Sequence, residues 1–123
     1  MKKIFLLAMV IVFLFSSLSI GATLSLKATW TPPTKNSDGT PLTDLASYNL
    51  YRTDAGRALI GNISSTAAQP YSFSVTVTGS GTLSFVMTAV DASGNESADS
   101  TAVTFPYDLV PPAAPGSLKI TTK

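Results

Sequence analysis

Residues 83–97 read LSFVMTAVDASGNES. Leu83, Phe85, Met87 and Ala89 recur at every second position, with Ser84, Val86 and Thr88 between them. A period of two places the two sets on opposite faces of an extended strand. The alternation ends in Asp91-Ala92-Ser93-Gly94-Asn95, where the side chains cap their own backbone and glycine accepts a left-handed conformation. The segment is therefore a half-buried strand running into a surface loop.

The same period recurs on both sides. Leu24, Leu26, Ala28 and Trp30 alternate with Ser25, Lys27 and Thr29, and Pro32-Pro33 is expected to close that strand, since proline gives a ladder no N–H. A polar loop from Thr34 to Asp44 follows, with Asp38-Gly39 as its turn. Tyr48, Leu50 and Arg52 then alternate with Asn49 and Tyr51. Asp54-Ala55-Gly56 reverses the chain into a short edge strand over Ala58–Ile63. Tyr71, Phe73, Val75 and Val77 alternate with serine and threonine, and Val103 and Phe105 share a face in a last strand expected to stop at Pro106. No stretch carries a 3.6-residue period, so helices are not expected. Short strands separated by turn signals predict an all-β sandwich.

The first residues stand apart. Lys2 and Lys3 precede an apolar run from Ile4 to Phe15, followed by the small residues Ser16, Ser17, Ser19, Gly21 and Ala22. This is the composition of a secretory signal peptide over residues 1–22, with cleavage after Gly21 or Ala22. An uncleaved anchor is the competing reading, because Ile4–Ile20 offers 17 apolar or small residues against the ~20 that span a bilayer. No cysteine follows the run, which excludes a lipid-modified lipoprotein.

Removing 22 of 123 residues leaves 101, enough for one domain. Those residues hold six basic and seven acidic side chains. That balance gives no attraction for nucleic acid, and contact with a membrane is expected only through an uncleaved leader. The chain has no cysteine, so stability in an oxidising compartment has to come from packing alone.

Trp30-Thr31-Pro32-Pro33, Tyr48-Asn49-Leu50 and Phe85-Val86-Met87-Thr88-Ala89-Val90-Asp91 with its Gly94-Asn95-Glu96-Ser97 loop together resemble the fibronectin type III family, over nearly all of the chain after the leader. The resemblance implies a seven-stranded immunoglobulin-like sandwich over residues 23–106, of the bacterial or phage-type exported kind. Two features depart from it. The family's tyrosine corner would fall at Leu83, and the first strand is missing ahead of Leu24. A segment similar to that first strand stands at the other end, Pro111 to Ile120, with Leu118 and Ile120 as its inward pair. Residues 107–123 thus form a proline-rich tail. Pairing of the tail with the Leu24 strand of its own molecule is the expectation; strand donation to a neighbour and an unpaired tail are the alternatives.

Chemistry is sparse. Without histidine or cysteine there is no imidazole base and no thiol nucleophile. The serines lie outside any nucleophile-elbow pattern, no glycine-rich phosphate loop is present, and the carboxylates fall in separate loops. Asp91, Ser93, Asn95 and Glu96 alternate oxygen-bearing side chains as some calcium loops do, but the remaining ligands are lacking, and a plain turn is expected. Asn62-Ile63-Ser64 and Asn95-Glu96-Ser97 match the N-glycosylation pattern. The Asp91–Asp99 loop has no Arg-Gly-Asp triplet. No enzyme activity, cofactor or metal is expected. The expected function is a secreted binding or adhesion module at the cell surface or in the periplasm, with a protein or polysaccharide partner. The alternative is a subunit of a surface or virion assembly, self-associating head to tail through its C-terminal strand. The candidate surface is Asn49, Tyr51, Val86 and Thr88, expected to point outward, together with Asp38, Asp91, Asn95 and Glu96 in the loops.

Overall fold

The computed structural model describes residues 21–123; the leader expected over residues 1–22 falls almost wholly outside them. Six strands follow in order: β1 Ala22–Ala28, β2 Leu45–Arg52, β3 Ala58–Ser64, β4 Tyr71–Val77, β5 Ser80–Asp91 and β6 Val103–Asp108. The fold is all-β and sandwich-like. One sheet has two strands, β1–β4, and the other has four in the order β3–β2–β5–β6, all antiparallel.

The alternating side chains meet between the sheets. Tyr48, Leu50, Ile63, Leu83 and Phe85 of the four-stranded sheet pack with Val75 and Val77 of β4, and Leu83 is fully buried. Aromatic edges carry the contact across the layers: Trp30 on Tyr48 at 5.1 Å and Phe73 on Phe85 at 5.4 Å between ring centres, the T-shaped geometry that ring quadrupoles favour. Leu83, where a tyrosine corner was absent, instead lies at the centre of the core. Tyr107 covers the nearby Gly81, whose added Cβ would come within 2.9 Å of the Tyr107 hydroxyl oxygen.

Three expectations are corrected. β1 stops at Ala28, short of Trp30 and Pro32-Pro33, because its partner β4 begins at Tyr71, the residue opposite Ala28. Beyond that point the Trp30 N–H donates to Gln69 Oε1 at 2.8 Å instead of to a ladder. β6 does not stop at Pro106 but passes through it to Asp108. It is an edge strand, and its outer side needs no N–H donor.

The third correction concerns the tail. Residues 109–123 form no strand, Leu118 and Ile120 are 84% and 88% exposed, and among the described residues β1 pairs only with β4. The described residues therefore give six strands rather than seven, and the tail does not double back. Its exit explains why. The Leu109 N–H donates to the Gly79 carbonyl, two residues past Val77, which faces Ala22. The tail thus leaves beside the beginning of β1. A direct path along β1 would set Pro111, Pro112 and Pro115, which lack donors, against it.

Candidate functional site

The candidate face is built by the β2–β5 ladder. Asn49 lies opposite Thr88 and Tyr51 opposite Val86, which puts all four side chains on the outer side of the four-stranded sheet. β3 adds Asn62, opposite Asn49. The chain after β5 turns back along the edge of that strand and delivers the Glu96 side chain to this face.

Glu96 Oε2 accepts hydrogen bonds from Thr88 Oγ1 at 2.6 Å, Tyr51 Oη at 2.6 Å and Asn49 Nδ2 at 3.3 Å. Asn62 Nδ2 donates to Asn49 Oδ1 at 2.8 Å, extending the row to the sheet edge. The hydroxyl of Thr88, then that of Tyr51, then the Asn49 amide hold the Glu96 carboxyl below its ordinary value, since each favours the charged form. At neutral pH it is a carboxylate that ties the loop to the sheet. It is not a proton donor.

Val86 and Thr88 lie on the outer face but do not reach solvent: both are buried, at 7% and 3% exposure. They are directed to the outer side but are covered there. The returning loop is stitched to β5 by the Ser97 N–H to the Ala89 carbonyl and the Ser100 N–H to the Met87 carbonyl, each 2.8 Å. The Ser97 and Ser100 hydroxyls accept from the N–H groups of Ala89 and Met87 in return. The accessible part of the face is Asn49, Tyr51 and Asn62 with two residues the pattern did not reveal, Arg57 and Asp99. The Arg57 guanidinium lies 3.9 Å from the centre of the Tyr51 ring and donates to Asp99 Oδ2 at 2.6 Å. That contact lowers the Asp99 carboxyl and raises Arg57.

The other candidates gather at one end of the sandwich. Asp38 Oδ1 accepts from the Thr40 hydroxyl at 2.6 Å and the Thr40 N–H at 3.0 Å, closing a turn in which Gly39 has φ of 89°. Asp91 Oδ1 accepts from the N–H groups of Asn95 and Ser93, and Oδ2 from the Asn95 amide at 2.9 Å. Both carboxyls are lowered by these bonds, Asp38 chiefly through Thr40 and Asp91 chiefly through Asn95. The Asp91 oxygens are committed to the loop's own donors, an arrangement that shapes a turn. The Ala92 N–H to Asp44 carbonyl bond joins the two loops. A cleft of about 510 Å³ between them is bordered by Asp38, Asp91, Asn95 and Glu96.

The structure thus sorts the candidates into a face and an end cleft, with Glu96 common to both. Asn62 had a signal, since it alternates with Ile63 in an edge strand. Arg57 and Asp99 had none, being turn and loop residues 42 positions apart. No family model, no curated protein and no solved structure matches the chain.

Proposed function

We propose that the chain is an exported, non-catalytic binding module of the fibronectin type III kind, engaging a surface polysaccharide or protein through the outer face of β3, β2 and β5. One observation carries this reading: a fixed row of amides, carboxylate and guanidinium, Asn62–Asn49–Glu96 and Asp99–Arg57, set around the Tyr51 ring. Such a surface offers planar donors and acceptors beside an apolar ring. Hydroxyl-rich chains and polar loops are recognised by groups of this kind. Preorganisation adds to it, because the side chains are already held by one another and lose little freedom on binding.

The test is retention on immobilised polysaccharides and on whole cell envelopes, comparing the native protein with an Arg57→Ala/Asn62→Ala double variant. Both residues are exposed and outside the core, so the melting temperature is expected to fall only slightly, through loss of the exposed Arg57–Asp99 pair, while retention falls at least tenfold. Equal retention of the two proteins would defeat the reading, as would turnover of the retained polymer.

A further inference from the structure

The two layers do not match in width. Among the described residues four strands lie beneath two, and β6 has no strand above it. Val103 and Phe105 pair with Phe85 and Leu83 and so face the same inner side as the core. They are nevertheless 64% and 42% exposed. Inward apolar residues left open by a missing roof differ from scattered surface hydrophobics, because they continue the core. Between them and the free edge of β1 runs a groove of about 1060 Å³, lined by Leu26, Trp30, Phe85, Met87, Val103 and Phe105 among others. Trp30 Nε1 and Tyr48 Oη, also of residues in its wall, are buried without a hydrogen-bond partner among the described residues, although buried polar groups are nearly always paired. One further strand on the β1 edge would satisfy the backbone there and roof β6.

We propose that this strand is the C-terminal segment Gly116–Thr122 of a second copy, giving a head-to-tail assembly by strand addition. The segment has the required pattern: Leu118 and Ile120 at alternate positions, both almost fully exposed, followed by Thr121 and Thr122. The length of the tether decides between copies. β1 has seven residues and measures about 23 Å, and Leu109–Pro115 spans about 23 Å when extended. Leaving beside Ala22, the tail of the same molecule would lay its prolines along β1 and carry Leu118 and Ile120 past Ala28. To run back antiparallel it would have to cover that length and also reverse. Between molecules neither constraint applies, and the proline-stiffened residues 109–115 serve as a spacer of about 22 Å. Each copy gives one strand and accepts one, so the interface is heterologous and builds rings or filaments. Val103 and Phe105 lie on the opposite side of the four-stranded sheet from Asn49 and Tyr51, while Asp99, the partner of Arg57, stands at the rim of the groove.

Sedimentation velocity on the full chain, produced by export so that its leader is handled as in the cell, tests this. Weight-average mass is expected to rise with concentration to at least twice that of the donor-blocked variant Leu118→Asp/Ile120→Asp, which stays monomeric. The donor-blocked change lies in an exposed tail and carries no folding liability. A groove-blocked variant, Val103→Asp/Phe105→Asp, is also expected to be monomeric alone and to form dimers and nothing larger when mixed with the donor-blocked one. A native chain that is monomeric at every concentration, or a donor-blocked variant that associates as the native chain does, overturns the proposal.

Discussion

Three hydroxyl and amide groups converge on one oxygen of Glu96, and one of them, Thr88 Oγ1, belongs to a buried residue. The consequence is a pH dependence with a definite sign. The folded protein holds this carboxyl below its ordinary value of 4.5. The carboxylate therefore adds stability that is complete above about pH 4.5 and is lost as pH falls through the lower folded value. Asp54, Asp91 and Asp99, lowered by Arg52, Asn95 and Arg57 respectively, act in the same direction from a start nearer 3.8. Glu96→Gln should melt below the native protein at neutral pH and approach it as the solution is acidified. Melting followed by circular dichroism from pH 7 downward checks this, and curves that stay parallel would contradict it. The residues that set the site were partly legible beforehand. Asn49, Tyr51, Val86 and Thr88 share a face by simple alternation. That Val86 and Thr88 are buried was not legible, because Glu96 reaches Thr88 from the loop after β5, and alternation says nothing about where a loop lies.

At the scale of the element, β5 and β6 offer a comparison within one ladder. Leu83 and Phe105 are direct partners, yet Leu83 is wholly enclosed and Phe105 is 42% exposed. Leu83→Ala should cost about 3 kcal/mol, the transfer of the lost methyl groups plus the cavity they leave. Phe105→Ala, a larger deletion by volume, should cost less than about half of that in the monomer, because much of the ring is already in water. Urea unfolding of both variants at low protein concentration measures the pair, and equal costs would mean that β6 is roofed after all. The strand ends illustrate the limit of local reading. Trp30 continues the apolar pattern of β1, but the ladder ends where Tyr71 begins. Pro106 carries a strong stop signal, but an edge strand tolerates it. In both places the neighbouring strand decides, and neighbours are not written in the local pattern.

Across the whole molecule, cohesion rests on apolar packing between two unequal sheets with no cysteine available to staple them. The all-β, sandwich-like class was legible, because β1, β2, β4 and β5 each alternate through several residues. The missing cover over β6 was not, since Leu118 and Ile120 have the pattern of a strand whether or not an edge lies within reach. Their fate depends on where β6 releases the chain, which is a property of the assembled sheets. This yields a thermodynamic expectation distinct from the association measurement. Binding that favours the folded state raises its melting temperature with concentration. A chain ending at Val110 keeps β6, the Leu109 N–H to Gly79 bond and the Val110 N–H to Asp108 Oδ1 bond at 2.9 Å. In dilute solution it should therefore melt with the native protein. As concentration rises, the native melting temperature should climb while that of the shortened chain stays flat, since the latter can accept a strand but has none to give. A shortened chain that melts lower even when dilute would place the tail within its own domain, the arrangement that the exit of β6 beside Ala22 and the three prolines oppose.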